Sequence, residues 1–524
     1  MGRPGFFDYQ RGATHEVAVA VVEVPLRNGL YLVADLTRPV GDGPFPGLVA
    51  HYTPYGRERR REEAAWWAGR GYAVLVCDLR GSGDSPGMFP GCLSAGETED
   101  NYDAVEWLAG QPWCTGRVGQ HGQSYGGMAA LRVAALRPPH LAAIAPQEAY
   151  SSYYRQTAWP GGVAAGSGRN WADLVPQITG GRVSAGFQRE LWAVHPLLDE
   201  LWRQVDIDTK YGDIDLPVLC CGGWFDNFRE GMVENHLGLG ERSRLVMGPW
   251  DHGALDQMAD EPLPLGALLA FFDHHLAGDG WHEGGGGALP ATAVASYELP
   301  RAGSAGWAEL DAFPPSTAEE LVLHAGAAGR LGAEAGPAAT ASFTVDPHDG
   351  PATLRFPPGA GLADEPAADR SGPDGARVGF ATEVLEADLV LCGIPRLRLL
   401  AETSAGDAVL VARLMDYAPD GTALEVSVGY LLASHRDGHD HVVEVLPGEV
   451  AAYELTLHPV HWRLRAGHRL RLSLSSGDVP ALEPVAPAGT VTVRCGEGAT
   501  VLRVPALHAA GPAGSPGQSR PAGR

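Results

Sequence analysis

The chain has 524 residues, too many for one hydrophobic core, so we expect it to divide into two or three domains. Its formal net charge of −24 argues against nucleic acid and anionic membranes as partners, because both repel an acidic surface. No run of about 18 apolar residues predicts a membrane span, and residues 1–15 lack the apolar segment of a signal peptide.

The cysteines indicate a reducing compartment. The chain has seven of them, with no C-x-x-C pair and no Cys/His ligand spacing. An odd number without a pattern is typical of free thiols and not of a disulfide framework or a zinc site. We therefore expect a cytoplasmic protein that needs no metal and no cofactor.

Residues 1–283 alternate apolar strands with helical segments, apart from one insertion described below. Unbroken apolar strands between helices are typical of a parallel sheet that is covered on both faces. Asn28-Gly29 between two apolar runs also predicts a hairpin. The predicted strands are residues 17–24, 30–36, 48–50, 72–77, 117–119, 141–145, 216–221 and 244–247, and the predicted helices are 61–68, 97–108, 128–135 and 263–276.

The pattern Gly122-Gln123-Ser124-Tyr125-Gly126 lies between a predicted strand and a predicted helix, as a nucleophile elbow requires. Glycines two residues on either side of Ser124 remove the Cβ atoms that would clash with its strained backbone. The pattern alone is a weak signal, because the chain has 70 glycines. A serine in an ordinary glycine-rich turn is the alternative.

Residues 148–208 interrupt the alternation with aromatic-rich helical segments. Such an insertion between two strands is typical of a cap over an active site. Each ring could instead belong to the core of a helical subdomain. The aromatic residues are Tyr150, Tyr153, Tyr154, Trp159, Trp171, Trp192 and Trp202.

Two polar residues that follow later strands support the interpretation of Ser124 as a nucleophile. Asp226 and His252 each follow a predicted strand, at the carboxyl edge of the sheet where Ser124 also lies. The chain order Ser, Asp, His is the order of α/β-hydrolases. The three residues together predict a catalytic triad.

Alternatives to this triad exist. The role of Asp226 could instead be to cap the segment that follows it, without a part in catalysis. Asp251 could be the acid, although a residue adjacent to His252 cannot easily reach the ring nitrogen of its neighbour. The other histidines considered for the base are His51, His121, His274 and His275.

Beyond a linker at Gly284–Gly287 the chain consists of short alternating strands with Gly, Pro and Asp turns, which predicts an antiparallel sandwich or jelly roll. The predicted strands of this region are residues 321–323, 341–345, 397–401, 409–414, 424–432, 453–457, 469–474 and 491–493. Residues 509–524 are rich in Gly, Ala, Pro and Ser and are predicted to be disordered. The predicted organisation is an α/β-hydrolase core at 1–147 and 209–283, a helical cap at 148–208 and a jelly roll at 290–508.

The chain resembles the cocaine-esterase and X-Pro dipeptidyl-peptidase family of serine hydrolases, which also includes glutaryl-cephalosporin acylases and α-amino-acid ester hydrolases. The resemblance covers nearly the whole chain and implies an α/β-hydrolase domain with an inserted cap and a C-terminal jelly roll. It rests on Pro54-Tyr55, Asp78-Leu79-Arg80-Gly81, Gly122-Gln123-Ser124-Tyr125-Gly126-Gly127, Gly222-Gly223-Trp224-Phe225-Asp226, Gly248-Pro249-Trp250-Asp251-His252, Phe271-Phe272-Asp273-His274-His275-Leu276 and Ala466-Gly467-His468-Arg469-Leu470.

The resemblance also implies further site residues. The hydroxyl of Tyr55 and the backbone amide of Tyr125 would form the oxyanion hole, and Tyr55 follows the strand 48–50, where α/β-hydrolases place such a donor. A tyrosine packed over the cap is the alternative for Tyr55. Trp159 and Phe228 match aromatic positions that line the acyl pocket.

The predicted reaction is acyl transfer to water from a small ester, amide or short peptide substrate. An X-Pro dipeptidyl-peptidase must bind an α-ammonium, for which Glu148 and Asp173, in or beside the cap, are the candidate acids. Gly126-Gly127 after the elbow offers no acid for an amine, which an α-amino-acid ester hydrolase would require. Esterase activity is therefore favoured over X-Pro cleavage. An acyltransferase with the same triad and a non-catalytic binding protein are the alternatives. The jelly roll is expected to wall one side of the site and to support a homodimer.

Overall fold

The structure is a computed structural model. It describes residues 4–89, 94–252, 265–276, 292–300, 306–349, 377–404, 406–479, 481–485 and 488–508, without the side chains of 167–172, 185, 187 and 188. Within these ranges no helix has the length and apolar character needed to cross a lipid bilayer.

A ten-stranded, mostly parallel sheet forms the centre of the N-terminal region. Its strands lie in the order β1-β2-β4-β3-β5-β6-β7-β8-β9-β10. All neighbours from β4 through β9 pair in parallel, whereas β1, β2 and β10 join in antiparallel pairs at the two ends. The strands β1 to β10 are Val17–Pro25, Tyr31–Pro39, Phe45–Thr53, Ala73–Asp78, Cys114–Gln123, Leu141–Gln147, Val218–Gly223, Ser243–Gly248, Val294–Glu298 and Gly306–Leu310.

The sequence accounts for most of this sheet. The central strands are fully buried, as their unbroken apolar runs predict, because helices cover both faces. The hairpin predicted at Asn28-Gly29 is confirmed, since Pro25 of β1 pairs with Tyr31 of β2. The helices α1 to α8 are Arg61–Ala68, Ala95–Ala109, Tyr125–Ala135, Gly166–Ile178, Ala185–Ala193, Glu200–Val205, Arg229–Leu239 and Leu265–Leu276.

The sheet extends past the point where the sequence predicts the jelly roll to begin. β9 pairs in parallel with β8, and β10 then pairs with β9. Both strands follow residue 290, and the glycines 284–287 of the predicted linker lie outside the described residues. Residues 294–310 therefore complete the N-terminal sheet before the chain enters the C-terminal region.

The C-terminal region consists of two antiparallel sheets, one of nine strands and one of four. The four-stranded sheet has the order β14-β21-β17-β18, and its buried residues share a core with the nine-stranded sheet. This is the β-rich architecture that the alternating runs predict. The strands β11 to β23 are Glu319–Ala325, Leu331–Gly332, Ala339–Thr344, Val378–Ala381, Leu389–Gly393, Arg396–Thr403, Val409–Tyr417, Ala423–Leu432, Ala451–Thr456, Val460–Leu464, Arg469–Ser475, Thr490–Cys495 and Val501–His508.

The insertion between β6 and β7 is helical, with a turn of π-helix at Tyr154–Ala158 followed by α4, α5 and α6. Its buried aromatic rings pack on one another: Tyr153 stacks on Trp202 at 6.0 Å between ring centroids and lies 5.8 Å from Trp192. These rings belong to the same hydrophobic core as the central sheet, and the role of the insertion as a cap stays a prediction. The side chain of Trp171 lies outside the described residues. The insertion also contacts the C-terminal sheets, where the amide of Gly166 donates to the carbonyl of Ala481 at 3.0 Å.

Candidate active site

Ser124 lies at a sharp turn between β5 and α3. Its backbone has φ 55° and ψ −115°, a sparsely populated conformation for a residue with a side chain. Its amide donates to Gln147 at 2.9 Å, which ties the turn to the neighbouring strand β6. A Cβ atom on Gly122 would lie 2.8 Å from the backbone of Gly126. Gly122 is therefore required by close backbone packing, whereas a Cβ atom on Gly126 would come no closer than 3.4 Å to its neighbours.

Four successive parallel strands bring the predicted catalytic residues to one edge of the sheet. Gln123 of β5 pairs with Gln147 of β6, and Gln147 pairs with Cys221 of β7. Gly223, the last residue of β7, pairs with Gly248, the last residue of β8. The loops that leave these strands therefore begin side by side.

The loops after β7 and β8 are bonded directly to each other. Trp224 donates its amide to Gly248 at 2.9 Å, and Phe225 donates to Trp250 at 2.9 Å. A Cβ atom on Gly223 would lie 2.1 Å from the carbonyl oxygen of Trp250, so the two backbones meet as closely as a glycine allows. This packing fixes the position of Asp226 relative to His252.

The imidazole of His252 faces two carboxylates. Its Nδ1 atom lies 3.0 Å from Oδ1 of Asp226 and 3.6 Å from Oε2 of Glu148. The side chains of both acids are fully buried, and that of His252 is 13% exposed. The structure therefore brings together the predicted acid and base, and it adds a second acid on the same side of the ring.

The acids control the protonation of the imidazole. Burial lowers the pKa of His252, because it disfavours the charged ring. The charge of Asp226 and its hydrogen bond, followed by the charges of Glu148 and Asp251, outweigh burial and raise the pKa to about 9. Asp251, the alternative acid from the sequence, makes the smallest of these contributions.

Glu148 is held by the strands around it. Its amide donates to Cys221 of β7 at 2.8 Å, and its backbone has φ 47°, which turns the chain sharply at the end of β6. The side-chain amide of Gln123 donates to Oε2 of Glu148 at 2.7 Å. Gln123 immediately precedes Ser124, so this bond connects the elbow with the acids.

Tyr55 and Tyr125 lie close together beside the elbow. Their rings are perpendicular, with centroids 6.2 Å apart. The Tyr125 hydroxyl donates to Oε2 of Glu97 at 2.7 Å, while its amide is the first of α3, where backbone donors lack intrahelical acceptors. Tyr55 is half-buried and follows β3, and its amide donates to the hydroxyl of Thr53 at 3.1 Å.

The structure brings Phe228 to the imidazole, with ring centroids of Phe228 and His252 5.4 Å apart. Tyr150, at the start of the helical insertion, lies 6.1 Å from Phe228 on the other side. Trp159 is half-buried between the π-helical turn and a 3₁₀ turn, and it packs against the main core. Phe228 is therefore next to the predicted base, whereas a pocket role for Trp159 stays a prediction.

The histidines considered as alternatives occupy other environments. His51 and His121 are buried with Glu63: Nε2 of His51 lies 3.1 Å from Oε2, and Nε2 of His121 lies 3.5 Å from Oε1. Their donor atoms lie within 4.8 Å of one another, as do those of Glu148, Asp226 and His252. His274 and His275 are in the last turn of α8. The expectation that no metal is needed stays a prediction.

The position of Glu148 was not evident from the sequence, which offered it only as one of two acids for a substrate amine. Asp173, the other acid, forms an exposed ion pair with Arg189. A signal for Glu148 did exist: it directly follows a strand of the parallel sheet, by the same rule that identified Asp226. The direction of the Glu148 side chain depends on the backbone turn at φ 47°, which sequence patterns do not reveal.

Comparison with known proteins agrees with this architecture. The profile of the X-Pro dipeptidyl-peptidase (S15 family) matches residues 28–184 and 176–254. The profile of the X-Pro dipeptidyl-peptidase C-terminal non-catalytic domain matches residues 292–508. Among solved structures, the chain is similar to an aminopeptidase from a marine sediment Thaumarchaeota archaeon, with a TM-score of 0.79 and 22% identity over 97% of this chain and 98% of that one. An α-amino acid ester hydrolase also has a TM-score of 0.79, with 18% identity over 95% and 98%.

Curated relatives extend over most of the chain. The cocaine esterase of Rhodococcus sp. (strain MB1 Bresler) is 26% identical over 90% of this chain and 93% of its own. A putative Xaa-Pro dipeptidyl-peptidase of Streptomyces avermitilis is 24% identical over 84% of this chain and 72% of its own. On these matches, the chain belongs to the family of serine hydrolases that includes cocaine esterase and the X-Pro dipeptidyl-peptidases.

Proposed function

We propose that this enzyme hydrolyses esters of small acyl groups through Ser124, His252 and Asp226. The observation that carries the proposal is the 3.0 Å contact between Nδ1 of His252 and Oδ1 of Asp226, on loops beside the strained turn at Ser124. In serine hydrolases the acid holds Nδ1 of the histidine while Nε2 exchanges the proton with the serine, and we assign these roles to Asp226 and to Nε2 of His252.

The reaction has two halves. His252 takes the hydroxyl proton of Ser124 as the serine oxygen attacks the carbonyl carbon, and it then gives that proton to the leaving alcohol as the C–O bond breaks. In the second half His252 takes a proton from water as the water oxygen attacks the carbonyl carbon of the acyl-enzyme. It then gives that proton to the Ser124 oxygen as the acyl C–O bond breaks, which releases the acid and restores Ser124. Asp226 accepts a hydrogen bond from Nδ1–H throughout, which keeps the imidazole in the required tautomer.

The oxyanion formed in each half needs donors. We assign this role to the Tyr55 hydroxyl and the Tyr125 amide. The position of Tyr125 at the N-terminus of α3 supports this, because the amides of a first helical turn point away from the helix and favour negative charge. The proximity of the Tyr55 ring to Tyr125 supports the second donor.

The substrate preference follows from the acids near the site. Cleavage of X-Pro peptides needs a carboxylate that reaches the substrate ammonium. Glu148 is fully buried and lies against the imidazole, and Asp173 is paired with Arg189. Both acids that the sequence offered for an amine are therefore engaged elsewhere, which favours an uncharged acyl group and an ester over an X-Pro peptide.

The test compares two chromogenic substrates. We expect the protein to hydrolyse p-nitrophenyl acyl esters and to leave Ala-Pro-p-nitroanilide uncleaved. Release of nitroaniline with a kcat/KM equal to or above that for the esters would move the assignment to an X-Pro dipeptidyl-peptidase. A series of acyl chain lengths, measured at the same enzyme concentration, would then define the acyl group.

The rate should depend on pH through His252. Only the neutral imidazole can accept the serine proton, and the pKa of His252 is raised to about 9. Ester kcat/KM should therefore rise with pH from neutrality toward about 9, because deprotonation increases the fraction of active enzyme. Initial rates from pH 6 to 10 would measure this, with the spontaneous ester hydrolysis subtracted. An acid limb at about 6.5, the ordinary value for histidine, would contradict it.

A location in the cytoplasm and a homodimer also belong to the proposal. The six cysteines of the described residues are free thiols, and five of them are buried, which is typical of proteins kept in a reducing compartment.

The jelly roll contacts the loop that carries Phe228, because Arg229 is hydrogen-bonded to His458. This contact supports its role as a wall of the site.

A further inference from the structure

We propose that Glu148 is a second acid of the catalytic machinery: it stabilises the protonated imidazole of His252 together with Asp226, and it can accept the hydrogen bond from Nδ1–H when Asp226 is lost. This inference rests on the proposed role of His252 as the base. Glu148 acts through the imidazole, so it is a positioning residue and does not touch the substrate.

The first support is geometric. Asp226 and Glu148 reach the same Nδ1 atom from two neighbouring strand ends, at 3.0 Å and 3.6 Å. Nitrogen and oxygen form a hydrogen bond at about 2.7–3.2 Å, so Asp226 holds the bond and Glu148 lies just beyond it. A movement of about half an ångström would give Glu148 a hydrogen bond of its own.

The second support is burial. Both carboxylates are fully buried, where solvent screens charge poorly, so a negative charge at 3.6 Å strongly stabilises a cation on the ring. The imidazolium forms during each half of the reaction, and the charge of Glu148 stabilises it at that stage. Among the described residues, the charge of Asp251, in the same loop as His252, also acts on the ring, and its contribution is smaller than that of Glu148.

The third support is the way in which Glu148 is fixed. Burying an ionised carboxylate is costly unless hydrogen bonds compensate. Here the amide of Gln123 donates to Oε2 at 2.7 Å, and this is the same oxygen that lies nearest to Nδ1 of His252. The backbone amide of Glu148 is in turn bonded to Cys221, and its φ is 47°. The carboxylate is thus aimed at the imidazole by the residue before Ser124.

The experiment uses Glu148→Gln, Asp226→Asn and the double variant in the full-length chain. Glutamine keeps the shape and an oxygen that accepts from Gln123, but it removes the charge. We expect Glu148→Gln to move the acid limb of ester kcat/KM to lower pH while KM changes little. An Asp-to-Asn change in a triad without a second acid lowers kcat by about 10⁴-fold. Asp226→Asn alone should lose clearly less than that, about 10²-fold, and the double variant should reach the full loss.

Glu425→Gln is the matched control, since Glu425 is another buried glutamate, paired with Arg413 in the C-terminal sheets. The acid limb of ester kcat/KM in Glu425→Gln should stay at the native pH. An acid limb unmoved in Glu148→Gln, together with a double variant no slower than Asp226→Asn, would overturn the inference.

Labelling with a fluorophosphonate separates this inference from the proposed function. If the native chain is labelled at Ser124 and Glu148→Gln behaves as native, the triad stands and the second acid is wrong. If Ser124 is not labelled in the folded native chain, the proposed function itself fails. Unfolding temperatures of all variants show whether a loss of rate reflects a loss of fold, and the labelling rate of the folded fraction then replaces kcat as the measure.

Discussion

Replacing Ser124 with alanine is expected to lower ester turnover by about 10⁶-fold, to the level left by the oxyanion donors and substrate binding. Without the hydroxyl oxygen no acyl-enzyme can form. Alanine has the same Cβ as serine, so the strained backbone at φ 55° is unchanged and the variant should fold as the native chain does. Initial rates with p-nitrophenyl esters, corrected for spontaneous hydrolysis, measure the loss.

Ser342→Ala serves as the control, because Ser342 is on β13 in the C-terminal region and its hydroxyl donates to Thr492. It should retain native turnover. Loss of fluorophosphonate labelling in Ser124→Ala should accompany the loss of rate. A folded Ser124→Ala protein that retains more than about one hundredth of native turnover would place the nucleophile at another residue.

The local pattern of the sequence determined most of the secondary structure. Helix α1 has the predicted bounds, Arg61–Ala68, and α2 extends the predicted helix 97–108 by a few residues, with Ser94 capping its N-terminus. What the pattern does not contain is the partner of each strand. β9 has the short apolar run expected of the C-terminal region, yet it pairs with β8, because strand pairing depends on contacts between distant residues.

Five strands of the C-terminal region were not predicted: β12, β14, β15, β20 and β23. β12 has only two residues. β14 and β15 have only four and five residues, too few for an alternating pattern to stand out. β23 contains Pro505, and a proline within a run argues against a strand in the interior of a sheet. β20 is equally short. Pairing with neighbouring strands stabilises these segments, and single-sequence patterns do not report pairing.

In the candidate site, too, some residues could be predicted from the sequence pattern and others could not. Asp226 and His252 could be located because each follows a strand, and the carboxyl ends of parallel strands share an edge. The Tyr55 and Tyr125 assignments came from a family resemblance, and the sequence itself added only that Tyr55 follows a strand, in the loop where α/β-hydrolases place an oxyanion donor. The place of Glu148 depends on a buried side-chain direction set by one backbone angle, which only the structure provides.

Replacing Tyr55 with phenylalanine is expected to lower kcat for ester hydrolysis by about 10²–10³-fold with little change in KM. The hydroxyl contributes only when negative charge develops on the substrate oxygen, so its loss raises the energy of the transition state more than that of the bound substrate. Phenylalanine keeps the ring, which is half-buried and perpendicular to that of Tyr125. The unfolding temperature should therefore change little.

Tyr125→Phe gives the informative comparison, because the proposed donor there is the backbone amide. This change removes the hydrogen bond from the Tyr125 hydroxyl to Glu97 but keeps the amide at the start of α3. Its effect on kcat should be much smaller than that of Tyr55→Phe, and its effect on stability larger, since a buried carboxylate loses a partner. Equal losses of kcat in the two variants, or a Tyr55→Phe enzyme with native kcat, would show that the Tyr55 hydroxyl does not hold the oxyanion. The second donor would then have to be sought elsewhere in the loop after β3, which is where this fold places it.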